Sequence, residues 1–367
     1  MALRKSKGRV EFDHLNLDDD SRALIRKACD GANRVELAPL DKGLSGSSVW
    51  LARWELASGV PTQHHVFKIG ARRKLKREND AMTIASSIVK AFPHFHLYTK
   101  HGSERALLKQ QFAGDVGRTA SLRQVLQDSA DPARASALIK SLYVSLLHGQ
   151  GWLTGGKKVR ARYEHILDWW VERMDLPKAA NAIGAKAIDR SLRSSFRMKL
   201  DGLQKIVRAI RRKTEAVPTS PVHGDLHAQN VLVDADDQLH LIDYGWTAER
   251  WPAIDFLMME CSLKFVVSPP HATLEDLIRM ETIIDTEWER RVPRTASLQR
   301  ELLGAELETI AAAVIEVRRC ARDLQAVENF AQYRHGLILL TAALATLPSL
   351  INRVYLFHSL AYYAANE

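Results

Sequence analysis

An α+β fold is predicted, with a small antiparallel sheet in the first third of the chain and a larger, mainly helical remainder carrying one short β-hairpin. Three observations predict it. Alternating or β-branched runs bounded by Gly, Ser and Asp continue to Gln111. From Ser121 onward, apolar residues recur at helical spacing instead. Within that second region, Val222–Trp246 holds two β-branched or apolar runs, Val231–Val233 and Leu239–Ile242, around the polar turn Asp234–Gln238.

Taken in order, residues 1–20 are polar, and Asp18–Asp20 with Ser21 offer a helix start for Arg22–Cys29. Residues 1–30 are therefore an N-terminal extension to the sheet. Val35–Pro39 is a short strand. It is followed by a Gly- and Ser-rich stretch in which the backbone around Gly43, Ser45, Gly46 and Ser47 can approach phosphate closely. His64–Ile69 alternates as a strand and places Lys68 among apolar neighbours. A helix then begins in the run Ala71–Ala85, with Glu78 ten residues beyond Lys68. His96–Tyr98 and Ala106–Gln111 form a further strand pair.

Helices are expected over Ser121–Gln127, Asp131–His148, Tyr163–Met174 and Ile188–Arg212 before Pro218 and Pro221 break the pattern. After the hairpin, Asp255 lies near a helix start. Glu260 and Lys264 stand at i,i+4, the spacing of a surface ion pair. Thr273–Arg291, Ser297–Arg319, Asp323–Leu347 and Leu350–Ala364 complete the helical part.

Composition bounds the function classes. With 46% apolar and 26% charged residues in 367, the chain can bury a sizeable core. The longest apolar run, Gly336–Leu347, ends at Pro348 and is too short to span a bilayer. The basic N-terminus lacks the apolar core of a leader, so no membrane partner is expected. Cys29, Cys261 and Cys320 are far apart without metal spacing, which suits small buried hydrophobes in a reducing, cytoplasmic setting. The net charge of +9 gathers in Arg4–Arg9, Arg72–Arg77 and Arg190–Lys213. The last cluster shares its helix with Leu192, Phe196, Leu200, Leu203 and Val207 and reads as a wet amphipathic face. Such runs could meet nucleic acid or an acidic partner, but without aromatic interleaving for base stacking nucleic acid is the lesser reading.

The chemistry concentrates at the hairpin. Asp225 and Asn230 precede its first strand and Asp243 follows its second, and a hairpin brings its outer ends together. Two carboxylates and a carboxamide suit a hard divalent ion such as Mg²⁺.

The run H-G-D-L-H-A-Q-N followed by L-I-D-Y-G resembles the catalytic loop and metal-binding motif of the aminoglycoside phosphotransferase and choline kinase branch of the protein-kinase-like fold. The pieces V-F-K-I-G, R-E and D-F-L-M-M-E-C are similar to ternary-complex-associated kinase-like domains of bacterial defence and signalling proteins. The resemblance implies a bilobed fold, with a nucleotide-binding N-lobe over residues 31–113 and a catalytic and acceptor-binding C-lobe over residues 114–367. It implies Asp225 as the base for an acceptor hydroxyl, with Asn230 and Asp243 on Mg²⁺. Lys68, held by Glu78 or, failing that, by Asp80, would contact ATP phosphates together with the loop Gly43, Ser45, Gly46 and Ser47. Backbone near Gln111 and Ala113 would meet the adenine. His223, His227 and Asp255 would brace the catalytic loop. The expected activity is ATP- and Mg²⁺-dependent phosphoryl transfer to a hydroxyl, with a small-molecule acceptor favoured. A kinase for a protein or nucleic-acid partner and a nucleotide-binding pseudokinase module are the alternatives. For a cationic acceptor, the acidic runs Glu275–Asp276 and Glu281–Asp285 are candidate contacts.

Overall fold

The computed structural model describes residues 17–40, 47–56, 64–89, 92–112, 118–153, 156–289, 303–347 and 352–366. Two compact units divide the chain. The first is Met1–Thr119 with Ile242–Thr247, and the second is Ala120–Leu241 with Ala248–Glu367.

In the first unit, β1 (Ala32–Pro39), β2 (Ser48–Leu56), β3 (His65–Ala71), β4 (Phe95–Thr99) and β5 (Arg105–Gln111) form an antiparallel sheet in the order β1-β2-β3-β5-β4. Its register sets Lys68 opposite Val49 on one side and Leu108 on the other. Alternation along β3 sends Phe67 and Ile69 to one face and Lys68 to the opposite one. Phe67 and Ile69 are buried in a core with Leu107 and with Leu24, Ile25 and Ala28 of helix α1 (Asp19–Ala28). Asp18 caps α1 by accepting from the Ser21 N–H at 2.8 Å. Part of the expected extension is therefore built into this unit's core. Helix α2 (Arg72–Ile88) follows β3 directly and carries Glu78 among its buried residues.

In the second unit, β10 (Val231–Val233) and β11 (Leu239–Leu241) form the expected hairpin, and β6 (Ala120–Ser121) pairs with β10. Its turn is held by Asp234, whose Oδ1 accepts the N–H groups of Asp236 and Gln238. Two ribbons were not anticipated: β7 (Lys158–Arg162) with β8 (Thr214–Pro218), and β9 (Ser220–Val222) with β12 (Ala248–Arg250). The helices are α3 (Leu122–Asp128), α4 (Pro132–Lys140), α5 (Tyr163–Ile166), α6 (Trp169–Glu172), α7 (Leu176–Asn181), α8 (Ala185–Phe196), α9 (Leu200–Arg212), α10 (Ala253–Ser262), α11 (Leu274–Glu289), α12 (Ala305–Asp323), α13 (Phe330–Leu344) and α14 (Arg353–Ala365). The α+β class is as expected. Among the described residues, no helix is long and apolar enough to cross a membrane.

Three helical expectations need correction. Ile188–Arg212 is two helices, because Arg197 adopts a left-handed backbone (φ 51°) and Asp189 Oδ1 accepts the Leu200 N–H at 2.9 Å, starting α9 afresh. Tyr163–Met174 breaks at Asp168, also at positive φ (47°). Glu260 and Lys264 are not a surface pair: both are fully buried in the core of α10–α14. There Arg318 clamps Glu260 through Nε and Nη2 at 2.9 and 2.7 Å, and Tyr333 donates to the same carboxylate at 2.8 Å. Lys264 pairs with Glu281 at 2.6 Å, and Tyr355, Ser359 and Tyr363 donate to Glu281. Burial pushes the Glu260 carboxyl upward, but Arg318 and Lys264 together with the Tyr333 hydroxyl hold it below its usual range. Glu281 thus faces inward and is committed to this core. The three cysteines are buried and unpaired, and Trp152 is fully buried by packing.

Candidate active site

The first unit assembles one charged triad. Lys68 Nζ donates to Glu78 Oε1 at 2.6 Å and to Asp243 Oδ1 at 2.8 Å, across sequence separations of 10 and 175 residues. Burial alone would drive the ammonium toward its neutral form. The carboxylates of Asp243 and Glu78 more than offset that, so Lys68 titrates above its ordinary value. Glu78 is shifted upward by its own burial, with Lys68 opposing the shift. The Lys68 and Glu78 side chains are nearly enclosed, whereas Asp243 retains 41% exposure. Lys68 is therefore a fixed cation, and Asp243 is the part-exposed member of the triad.

Local backbone explains how Asp243 gets there. It lies at φ 63°, a conformation that costs a non-glycine residue free energy and that surrounding contacts must hold. Tyr244 supplies one such contact by packing on Phe92 with ring centroids 4.6 Å apart. Gly245 supplies another: a Cβ there would stand 3.2 Å from Glu78 Cγ, so the absent side chain lets the turn close over α2. Arg77 lies over the Trp246 ring at 4.8 Å. Phe92, Arg77 and Trp246 were not singled out in the sequence. The only available signal for Trp246 was its place directly after the Asp-Tyr-Gly run.

The second unit holds the loop Val222–Asn230 by itself. Leu226 and Ala228 are buried, while Asp225 and His227 are partly exposed between them. Asn230 Nδ2 donates to the Asp225 carbonyl at 2.9 Å, and the His227 N–H donates to that carbonyl at 3.0 Å. His227 Nδ1 accepts the Gln229 N–H at 3.3 Å, and its Nε2 stands 3.9 Å from Asp225 Oδ2. Behind the loop, the fully buried Asp255 accepts the His223 N–H on Oδ2 and the Gly224 N–H on Oδ1, each at 2.8 Å. Burial raises the Asp255 carboxyl to about 7, against the two N–H donors and Arg250. Gly224 sits at φ 80°, where only glycine is free of strain.

Of the glycine-loop residues, Ser47 is buried, and a Cβ on Gly70 would stand 2.6 Å from its Oγ. Gly43, Ser45 and Gly46 lie outside the described residues, as does Ala113. Gln111 ends β5, and its N–H donates to the His94 carbonyl at 2.7 Å.

Each unit by itself holds an oxygen donor of the kind a hard cation takes. With its Nδ2 committed to a carbonyl, Asn230 has Oδ1 to offer, and Asp243 contributes a part-exposed carboxylate. Among the described residues, no three His, Cys, Asp or Glu gather to hold a metal.

One family model matches part of the chain. Residues 184–348 match ternary complex associated domain 9. That segment contains the hairpin, Asp225, Asn230, Asp243, Asp255 and the D-F-L-M-M-E-C piece, while V-F-K-I-G and R-E precede it. The resemblance to the ternary-complex-associated branch is borne out by this match. No curated protein matches the chain in sequence.

Similar solved structures include a putative aminoglycoside phosphotransferase from Ralstonia eutropha JMP134, at 13% identity over 94% of this chain and 97% of that one, with a TM-score of 0.48. Choline kinase from Cryptosporidium parvum Iowa II is 14% identical over 90% and 88% of the two chains, with a TM-score of 0.40. Macrolide 2′-phosphotransferase from Brachybacterium faecium is 16% identical over 89% and 98%, with a TM-score of 0.38. TM-scores this low support neither a shared substrate nor a shared activity.

Proposed function

We propose that the chain is an ATP- and Mg²⁺-dependent phosphotransferase that moves the γ-phosphoryl group to a hydroxyl of a small-molecule acceptor in the cytoplasm. The observation that carries this reading is the buried Lys68, tied at once to Glu78 ten residues on and to Asp243 far along the chain. A structural ion pair needs one carboxylate. A lysine enclosed with two, one of them part-exposed on a strained turn, is arranged to keep its charge and present it.

Phosphoryl transfer asks little covalent work of a protein; it asks for alignment and charge neutralisation. In this reading Lys68 contacts the nucleotide phosphates, Glu78 fixes it, and the backbone of the Gly43–Ser47 loop and of Gln111–Ala113 holds the rest of ATP. Asp243 and the Asn230 carbonyl oxygen hold Mg²⁺, which when bound neutralises phosphate charge. Asp225 orients the acceptor hydroxyl and accepts its proton as the hydroxyl oxygen bonds the γ-phosphorus and the bond from that phosphorus to the β–γ bridging oxygen breaks, releasing ADP. His223, His227 and Asp255 keep Asp225 in place through the loop backbone.

The test uses γ-labelled ATP with Mg²⁺, alone and with candidate acceptors, on the wild type and on Asp225→Ala and Asp243→Ala. Label on a small molecule supports the reading, with Asp225→Ala losing turnover while keeping nucleotide affinity and Asp243→Ala losing affinity itself. Label on a protein or nucleic acid moves the assignment to a macromolecular kinase, and binding without turnover makes the chain a pseudokinase module. Absence of Mg-ATP binding by the wild type would sink the phosphotransferase reading altogether.

A further inference from the structure

The positive charge of this protein is not spread over it. Residues 156–213 contain 16 Lys and Arg against 6 Asp and Glu, a surplus one charge larger than the whole chain's net +9, so the remainder is close to neutral. The structure turns this segment into ordered rows. On α8, Lys186, Arg190, Arg193 and Arg197 follow at i, i+4, i+7 and i+11, all exposed, opposite the buried Ile188 and Leu192. On α9, Lys205, Arg208 and Arg212 make a second exposed row opposite the buried Leu203, Val207 and Ile210. On β7, Lys158, Arg160 and Arg162 alternate along one exposed face, roughly 7 Å apart. These elements are neighbours. Glu164 accepts from Arg162 of β7 and from Arg211 of α9, and the Tyr163 N–H donates to the Lys213 carbonyl at 3.1 Å.

One residue departs from the rule for a solvated helix end. Arg197 closes α8 in the left-handed conformation that ordinarily selects glycine, yet it is a long cation and exposed. The turn around it is fixed, because Asp189 accepts both the Leu200 N–H and the Arg193 guanidinium.

We infer that the β7–α8–α9 face is a docking surface for double-stranded nucleic acid, held through its phosphate backbone without regard to sequence. The occupant follows from what the face has and lacks. Its arginines suit phosphate oxygens, which they bind in a fork. The apolar sides of α8 and α9 are spent on the core, so neither helix has a face to lay into lipid. Among the described residues no exposed aromatic interrupts the rows, which argues against stacking on single strands and leaves the duplex backbone untouched by that objection.

The test is fluorescence anisotropy of the full chain with labelled duplex DNA and duplex RNA across a salt series, beside vesicles of anionic lipid and polyglutamate. Arg197→Gly removes a charge while relieving the left-handed backbone, so it preserves the fold. Combined with Arg190→Ala, it should lower duplex affinity and reduce the slope of log affinity against log salt by about 2. Arg72→Ala with Arg73→Ala, on α2, should leave that slope unchanged. Thermal unfolding of each variant confirms that the fold is kept. An unchanged slope in the Arg190–Arg197 variant, an equal drop in the α2 variant, or binding to vesicles or polyglutamate but not to duplex each overturns the assignment.

Discussion

Asp255 is the sharpest point at which to perturb the second unit. Its two carboxylate oxygens each accept one buried backbone N–H, from His223 and Gly224, at 2.8 Å. Asp255→Ala leaves both donors without an acceptor in a place water does not reach. Each such loss costs about 1–3 kcal/mol, so the variant should lose roughly 2–6 kcal/mol of a total stability on the order of 5–15 kcal/mol. Asp255→Asn is nearly isosteric but offers one acceptor oxygen, with its NH₂ turned against the second N–H, so it should lose about half as much.

The pH dependence has a definite sign. Burial lifts the folded carboxyl from 3.8 to about 7, so between those values the folded state holds a proton that the unfolded state has released. This contribution to stability is fully present below pH 3.8 and is lost as pH rises through 7. Urea denaturation at a series of pH values should therefore show the wild-type advantage over Asp255→Asn shrinking from pH 4 to pH 8. Hydrogen exchange at His223 and Gly224 should quicken in both variants. A loss under about 1 kcal/mol, or unaltered exchange at those two amides, would refute the brace.

Three further outcomes follow from other contacts. Glu78→Gln leaves Lys68 with Asp243 as its remaining carboxylate, so Mg-ATP affinity should fall about tenfold with a smaller effect on stability, as read by calorimetric titration and thermal unfolding. Arg318→Met strips the buried Glu260 of its bidentate partner and should cost about 3–5 kcal/mol in denaturant unfolding, since one charge of a buried pair is left behind. Gly336→Ala would set a methyl 2.6 Å from Leu257 Cδ1 and 2.9 Å from the Trp251 ring where α13 meets α10. The expected cost is about 1–3 kcal/mol, partly recovered by trimming Leu257 to Val.

The sequence by itself determined the pieces whose signal is local. The polar turn between Val231–Val233 and Leu239–Leu241 dictates a hairpin, and alternation around Lys68 dictates a strand, because both depend on neighbours two residues away. Motif order was enough to place Lys68, Glu78 and Asp243 in one expected group, although they come from the front and the middle of the chain. Spacing alone could not decide burial. Glu260 and Lys264 at i,i+4 read the same in solvent as in a core, and only the arrival of Arg318, Glu281 and the tyrosines from α11, α12, α13 and α14 makes that pair interior. Nor could apolar period reveal the break at Arg197, since the helical spacing continues across it while a distant carboxylate, Asp189, restarts the chain. The strained Asp243 was likewise out of reach of the sequence, because packing from Phe92 and Glu78 supplies the energy that holds it. Local pattern fixes which element forms; contacts between residues remote in sequence fix which charges are buried and which backbone strain is tolerated.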